Sequence, residues 1–460
     1  MPAPPRAKRT YGRYGHVLGN PRRGGTQPHG IRLRSSKAGR EYRGLAVFML
    51  AVLACSFFFV NISGQIYPAE VVLVGYVLHR AVSGTFVQAE IPPWIFVTLL
   101  LWAVGSLLSD YVAAGEPLQL FRGLARTFFL FADLTAIWLM VDRERKLIHY
   151  AWIGLCVSAP LSYILQPSLY AHAAPWKFVF GLPVTILVIL AVGSPKFPAR
   201  FSIPAVIFLA GLHFVMGFRS MAVTTLIVAL ILVIRVRQRG GLKHGAAKIR
   251  SLFLVAAGVA VIYALVTSYD QLATQGLFGY SAQQKAYYLS GEYGSLLSSR
   301  SEFFLSTGTI LKQPLFGGGS FSSASAEVTE STASLFHNLG YEHIAPEILA
   351  NSPAYHSEIL AAWAENGFLA VPFWLGVFII FFRGLNCVIN GACASPALVA
   401  FLSLQGLWDL FFSPFGAGQR MFVCLSVVTV FVLSSPRKET GTNASYFRRN
   451  NQLQPARLPH

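Results

Sequence analysis

Long apolar runs dominate this chain and limit the folds open to it. About twelve of them have the length of roughly 17–25 residues that a helix needs to cross a bilayer. Hydrophobic residues make up 54% of the chain and charged residues only 12%, which leaves too little polar surface for a soluble globule. We therefore predict an all-α polytopic membrane protein. The predicted spans lie near 44–62, 66–84, 91–109, 119–141, 146–165, 179–193, 201–217, 221–236, 250–268, 357–382, 395–413 and 419–435.

The distribution of basic residues predicts the orientation of these spans. An even number of spans places both termini on one side, and most of the 37 Lys and Arg residues fall on that side. The positive-inside rule makes this side cytoplasmic. The net charge of +18 is then explained by orientation and by attraction to anionic headgroups, so no nucleic-acid partner is expected.

The chain divides into five predicted regions. Residues 1–43 form a basic cytoplasmic tail that we predict to be disordered, and the first span after it is expected to remain as an anchor because the tail lacks a signal-peptide pattern. Spans one to nine occupy 44–268, and spans ten to twelve occupy 356–435. Between them, 269–355 is a large, acidic, external loop of the kind that usually carries function. Residues 436–460 form a second cytoplasmic tail.

No metal or cofactor is expected from the residue pattern. The five cysteines fall in predicted spans or in a cytoplasmic loop, where no oxidising compartment would pair them. No spacing of Cys and His residues typical of a metal site appears.

Several cations lie on the side that the positive-inside rule depletes. A charge near the hydrocarbon is costly and usually faces the bundle interior, which makes it a functional candidate. Snorkelling to headgroups is the alternative for each one alone. For several at one boundary we favour a shared anionic ligand, since the planar fork of arginine suits phosphate oxygens. These cations are Arg122, Arg126, Lys177, Arg219 and Arg420.

Three segments match the motifs of one family, in the same order and on one predicted face. With these motifs the chain resembles the O-antigen ligase and O-antigen or exopolysaccharide polymerase family of membrane glycosyltransferases, over about residues 175–435. It departs from the pattern at Ser357, where Asn is more usual, and at Pro175–Phe178, where Asn-Pro-Asn is often found. The matching segments are the cationic turn Gly217–Ser220; Arg300–Phe304 with Gln313–Gly319 (Pro-x-x-Gly-x-Gly); and His356–Leu360 with Ala364–Leu369.

The resemblance implies a GT-C-like, multi-pass protein of the bacterial inner membrane whose active site faces the periplasm. It implies a metal-independent, inverting transfer of a glycan from undecaprenyl pyrophosphate to an acceptor sugar hydroxyl. His356 is the expected general base or acceptor-orienting group, and Arg219 and Arg300 are the strongest expected pyrophosphate ligands. The expected second-rank ligands of the same anion are Arg122, Arg126 and Lys177. Expected partners are the lipid-linked oligosaccharide, the acceptor glycan, the lipid bilayer and other polysaccharide assembly and export proteins.

Simpler interpretations exist for the same residues. His356 is alternatively a histidine at a helix N-terminus that is hydrogen-bonded to its own loop, and Arg300 a solvated loop charge. The glycine run Gly317–Gly319 is predicted to be a turn and not a phosphate cradle, because no Lys-Ser/Thr helix start follows it. Glu365 is predicted to shape the turn before Gly367 rather than to form a glycosidase carboxylate pair.

Two functional classes remain open at this stage. The first is a glycosyltransferase, for which we favour a polymerase of exopolysaccharide or O-antigen repeats over a ligase that attaches the finished glycan to a lipid core. The second is a lipid-linked oligosaccharide flippase or another transporter, for which twelve spans is a common count. Transporters tend to consist of repeated halves, and no self-similarity between 44–236 and 250–435 is apparent, which favours the enzyme.

Overall fold

A computed structural model shows a protein that is predominantly helical in the residues described. It describes residues 30–62, 64–85, 91–143, 145–239, 300–341, 344–350 and 355–435, together with scattered positions between 258 and 287. The chain forms two compact units, Met1–Gly44 and Leu45–His460. All residues discussed as a functional site below belong to the second unit.

Sixteen α-helices have their bounds in the described part of the chain. An antiparallel pair of two-residue strands, β1 (Val60–Asn61) and β2 (Gln65–Ile66), follows the first helix. A π-helical turn covers Trp176–Phe180, and 3₁₀ turns cover Phe368–Ala370 and Ala417–Gln419. The helices are α1 (Gly30–Ala54), α2 (Pro68–Val82), α3 (Pro93–Val112), α4 (Pro117–Arg143), α5 (Leu147–Leu165), α6 (Leu169–Ala173), α7 (Gly181–Val192), α8 (Ala199–Val215), α9 (Arg219–Arg239), α10 (Ser301–Lys312), α11 (Ala326–Asn338), α12 (Pro346–Ala350), α13 (Glu358–Asn366), α14 (Val371–Ile389), α15 (Pro396–Phe412) and α16 (Arg420–Ser434).

The helices confirm an all-α membrane protein. Six helical segments of the described chain are long and apolar enough to cross a bilayer, and three further apolar helices are shorter. The long segments are Pro93–Val112, Pro117–Asp142, Leu147–Leu165, Arg219–Val236, Phe368–Ile389 and Ala417–Ser434; the shorter ones are Trp176–Val192, Arg200–Val215 and Pro396–Phe412. Together they match nine of the spans predicted from the sequence, and the total of about twelve stays a prediction.

Three of the predicted spans have other outcomes. The helix expected over 44–62 is α1, which begins at Gly30 and ends at Ala54, so residues 30–43 are helical where disorder was predicted. This segment has no proline and several good helix formers, which lets the helix extend. The second span corresponds to α2, which has only 15 residues. The ninth, 250–268, lies mostly outside the described residues, as does the tail 436–460.

The tenth predicted span, 357–382, is divided into two helices. α13 ends at Asn366, and Gly367 adopts a φ of +71°, a conformation that favours glycine. The chain then turns through Phe368–Ala370 and enters α14, which has Pro372 in its first turn. Hydropathy alone does not detect this break, because apolar residues continue on both sides of the glycine.

Helix α4 lies at the centre of the bundle. It packs against α2, α3 and α16, while α14 packs against α3, α15 and α16. Trp102 of α3 and Trp374 of α14 are fully buried and lie 5.6 Å apart between ring centroids, which fits the separation that favours aromatic pairs. These aromatic rings fill the core of the bundle close to the carboxyl end of α13.

Helices α10 to α13 form a small layer with its own core. Helices α10, α11 and α12 pack around the fully buried Phe336 and the buried Tyr341. Ala361 and Ala364 of α13 belong to the same core, so α13 is part of this layer, and it also packs against α3, α14 and α15. The predicted external loop is therefore folded where it is described.

We predict that Gly367→Ala destabilises the protein more than Gly391→Ala does. Both glycines have positive φ, but a Cβ at Gly367 would overlap the backbone of Leu315 and Phe316, whereas nothing lies within 4 Å of a Cβ at Gly391. Backbone strain at such positions costs about 1–3 kcal/mol, and the overlap adds to it only at Gly367. Thermal unfolding of both variants in detergent is the measurement; equal midpoints would contradict the break at Gly367.

Candidate functional site

The glycine run lies against the carboxyl end of α13. The N–H of Gly318 donates to the Ala364 carbonyl at 2.8 Å, and the N–H of Gly319 donates to the Glu365 carbonyl at 3.0 Å. These carbonyls belong to the last turn of the helix and have no partner within it. The run is thus a turn that caps α13, as predicted from the sequence, and the Gly319 N–H also contacts the Ser109 hydroxyl at 2.9 Å.

Arg126 is held inside the protein at this same helix end. Its Nη1 forms an ion pair with Glu365 at 2.7 Å, and its Nη2 donates to the Asn366 amide oxygen at 2.7 Å. The guanidinium also lies over the rings of Trp102 and Phe321. Glu365 is therefore an ion-pair partner and not only a turn-shaping residue, and this geometry argues against Arg126 as a ligand of an external anion.

Arg420 likewise has a carboxylate partner. Its Nε and Nη2 donate to the two carboxylate oxygens of Glu70, each at 2.7 Å. Such a bidentate ion pair neutralises both charges inside the bundle. Two of the five boundary cations thus bind carboxylates of the chain, which the sequence alone did not reveal.

The amino end of α13 positions His356. Ser357 is the N-cap, because its Oγ accepts from the Leu360 N–H at 3.2 Å and also donates to the Leu410 carbonyl at 2.7 Å. On the other side of the histidine, the Tyr355 hydroxyl lies 3.2 Å from the Thr309 hydroxyl. His356 is therefore anchored by both of its neighbours, while its own side chain is 36% exposed.

Glu302 lies beside this histidine. Its Oε1 is 3.5 Å from Nδ1 of His356, and its side chain is 21% exposed. A carboxylate at Nδ1 favours a proton on that nitrogen and leaves Nε2 as the proton acceptor of the neutral ring. Glu302 stands in the Arg-Ser-Glu motif, yet no role was predicted for it.

Arg300 packs on the last turn of α15. Its guanidinium lies 5.1 Å from the ring centroid of Trp408 and 4.9 Å from that of Phe412, and Nη1 donates weakly to the Phe412 carbonyl at 3.5 Å. Burial lowers the pKa of Arg300, Glu302 raises it, and the positive charge of Arg219 lowers it. An arginine keeps its charge despite such shifts, so a half-buried cation lies in the neighbourhood of Glu302.

Arg219 begins α9 and lies within electrostatic range of Arg300. The turn before it contains Gly217, with φ of +74°, and the guanidinium lies 4.2 Å from the Tyr269 ring centroid. The three residues ranked highest from the sequence are thereby linked. The charges of Arg219 and Glu302 both interact with the charge of Arg300, and Glu302 also contacts His356. They come from α9, from the start of α10 and from the start of α13.

The two remaining second-rank cations are exposed. Arg122 of α4 lies beside Gly64. Lys177 lies in the π-helical turn, with its Nζ 5.0 Å from the ring centroid of Phe178. These positions leave their part in anion binding a prediction.

The two glutamates of α13 lie at opposite ends of the helix in different surroundings. Glu358 is buried, and burial together with the negative charge of Asp409 raises the pKa of its carboxyl group. Glu365 is paired with Arg126. They do not face each other across a cleft, as a glycosidase pair would.

We predict that Ser357→Ala lowers stability by about 1 kcal/mol through loss of the N-cap. Ser325→Ala is the matched control, because Ser325 caps α11 by accepting from the Val328 N–H. Both variants lose a cap, but only Ser357→Ala also loses the hydrogen bond to Leu410. Thermal unfolding is therefore expected to show a larger loss for Ser357→Ala, and a smaller loss would contradict the link between α13 and α15.

The arrangement combines two neighbouring guanidinium groups with an imidazole that has a carboxylate partner. The guanidinium groups provide positive charge for an anion, and the imidazole provides a nitrogen that can accept a proton. Among the described residues, no cluster of three or more His, Cys, Asp or Glu side chains has the arrangement of a metal site. Comparisons of the sequence with protein-family models and with curated proteins found no match.

Proposed function

We propose that the protein is a membrane glycosyltransferase that moves a glycan from a lipid pyrophosphate to an acceptor sugar hydroxyl, as a polymerase of exopolysaccharide or O-antigen repeats. The observation that supports this most is that Arg300 lies within the electrostatic influence of Arg219 and of Glu302, the residue that contacts His356. Such a reaction requires an anion site next to a proton acceptor. The motif resemblance over residues 175–435 supports the choice of donor.

The two arginines would bind the pyrophosphate. Like charges that approach each other away from bulk water repel, and an anion between them removes the repulsion. Arg300 contributes a guanidinium held flat by Trp408 and Phe412, which fixes the plane in which its fork meets phosphate oxygens. The same positive charge would stabilise the leaving pyrophosphate as the glycosidic bond breaks.

His356 would act on the acceptor. Nδ1 of His356 faces Glu302, and Nε2 takes the proton of the acceptor hydroxyl. At the same time the oxygen of this hydroxyl forms a bond to the anomeric carbon of the donor sugar. The bond from that carbon to the pyrophosphate oxygen breaks on the opposite side, and its electron pair leaves with the pyrophosphate. The configuration at the anomeric carbon is inverted, and no metal or cofactor takes part.

The membrane arrangement belongs to the same proposal. About twelve spans with both termini in the cytoplasm would place the layer of α10–α12 and the His356 site on the outer face of a bacterial inner membrane. The excess of basic residues in the tails and short loops supports this orientation. The donor then reaches the site from the bilayer, through its lipid, and the acceptor glycan approaches from the aqueous side.

A ligase would use the same residues and differ in its acceptor. The polymerase joins repeat units while both remain lipid-linked, whereas the ligase moves a finished chain to a lipid core. A flippase forms and breaks no glycosidic bond, so the reaction step assigned to His356 would be absent from it. The composition of the lipid-linked pool distinguishes these possibilities.

We predict that His356→Ala and Arg219→Ala each abolish polymer formation while the protein still inserts and lipid-linked repeat units accumulate. The reason is that one variant loses the proton acceptor and the other the anion ligand. Polymer length on gels and mass analysis of extracted lipids are the measurements. The exposed residues His337 and Arg200 provide matched controls, and His337→Ala and Arg200→Ala are expected to keep polymer formation.

Cells that lack the protein distinguish the three functions. Single repeat units on the lipid indicate a lost polymerase, long unattached chains a lost ligase, and lipid-linked glycan confined to the inner leaflet a lost flippase. Normal polymer from both His356→Ala and Arg219→Ala would contradict the proposed site.

We further predict that inorganic pyrophosphate stabilises the purified protein through Arg219 and Arg300. Ligand at a hundred times its dissociation constant stabilises a folded protein by about 2.7 kcal/mol, which thermal unfolding in detergent detects. Arg219→Ala and Arg300→Ala should lose this effect, whereas Arg200→Ala should retain it. Equal stabilisation of all variants, or the same effect from sodium chloride of equal ionic strength, would contradict a specific anion site.

A further inference from the structure

A second group of charged residues lies inside the bundle, apart from the proposed catalytic site. Glu70 in the first turn of α2, Asp133 of α4 and Arg420 of α16 are 2%, 0% and 5% exposed. Arg420 binds both carboxylate oxygens of Glu70 at 2.7 Å. Charged residues are rare within membrane bundles and are functional candidates by default, and the proposed sugar transfer makes no use of these.

The Asp133 carboxyl group is the unusual member. Both of its oxygens are buried, and no N–H or O–H group of the described residues donates to either one. Its hydrogen-bonding neighbour is the carboxyl group of Glu70. Ionised carboxylates only accept hydrogen bonds, so neither of two ionised carboxylates can donate to the other, and Asp133 is left without a donor. One proton between them converts the contact into a hydrogen bond.

The balance of charges in the group formed by Glu70, Asp133 and Arg420 also indicates that the two carboxyl groups share one proton. The pair of Arg420 with Glu70 is neutral, so an ionised Asp133 would be a third, uncompensated charge in the membrane interior. An unpaired buried charge is strongly destabilising. A single proton on the carboxyl pair makes the whole group neutral.

We propose that Glu70 and Asp133 form a proton-binding site, in which the Asp133 carboxyl group holds one proton at neutral pH and donates it to Glu70. This site is separate from the His356 site and does not depend on the glycosyltransferase proposal. Arg420 keeps Glu70 as the acceptor, and Asp133 carries the proton. The ligand of the site is the proton itself.

The neighbouring groups are compatible with this assignment. The titratable side chains around the pair are Tyr67, which precedes α2, and Cys424 of α16, and both are buried. The Tyr67 hydroxyl donates to the Gln65 side chain at 3.1 Å, and the Cys424 thiol contacts the Leu130 carbonyl at 3.7 Å. Both therefore have other acceptors, which leaves a proton on the carboxyl pair as the donor between Glu70 and Asp133.

A proton fits this site better than a sodium ion does. Sodium requires several oxygen ligands arranged around a central space, whereas the Glu70 and Asp133 carboxyl groups are in direct hydrogen-bonding contact. The guanidinium of Arg420 would also repel a second fixed cation next to Glu70. Sodium is therefore the competing ligand that an experiment must distinguish.

Infrared spectroscopy of the full-length protein in lipid nanodiscs tests the proposal. At pH 7, the wild-type spectrum minus that of Asp133→Asn is expected to contain the carbonyl stretch of about one protonated carboxyl group, shifted in heavy water. The amide N–H introduced by Asp133→Asn can donate to Glu70 as the proton does, so the thermal midpoint of this variant should equal that of the wild type. Glu327→Gln, which changes an exposed carboxylate, should leave the band unchanged.

Two further measurements make each outcome decisive. A spectrum in which Asp133→Asn removes no protonated band would overturn the proposal, as would sodium-dependent thermal stabilisation that Asp133→Asn abolishes. If Asp133→Asn does not fold, carboxyl-¹³C aspartate labelling of the folded Asp409→Asn variant replaces it, because this variant lacks the aspartate whose negative charge acts on the buried Glu358. A labelled protonated band then supports the proposal, and its absence refutes it.

Discussion

The ion pair between Arg126 and Glu365 holds together the parts of the protein that form the proposed site. It joins α4 to the carboxyl end of α13, where the glycine run also binds. Because α13 is only nine residues long, a fixed carboxyl end also fixes its amino end. His356 stands directly before that amino end, so a buried ion pair more than one helical turn away helps to position the imidazole.

The proposed site combines residues from segments that are distant in the sequence. Arg219 follows the positive-φ turn at Gly217, Arg300 packs on the last turn of α15, and His356 precedes the N-cap Ser357. Ser357 and Arg300 both contact the end of α15 through its backbone carbonyls. This helix end is therefore the surface on which the cation and the imidazole are aligned.

The cations show how far prediction from the sequence extends and why it ends there. Their position on the side that the positive-inside rule depletes is a prediction that the sequence alone allows, since it depends on hydropathy and on counting charges. The partners of Arg126 and Arg420 could not be predicted from the sequence, because Glu365 and Glu70 are 239 and 350 residues away from them along the chain. Glu302 lies inside a recognised motif, but its contact with His356 depends on where α13 begins in space.

Local sequence was enough to establish the class of protein, the approximate positions of nine of its apolar helices and the candidacy of Arg219, Arg300 and His356. These follow from composition, periodicity and short motifs, which act over short stretches of chain. Three features required the folded chain: the separation of α13 from α14 at Gly367, the neutralisation of Arg126 within the protein, and the contact of Asp133 with Glu70. Each of these depends on which distant groups meet in a medium of low dielectric constant, where an unpaired charge or donor is too costly to remain.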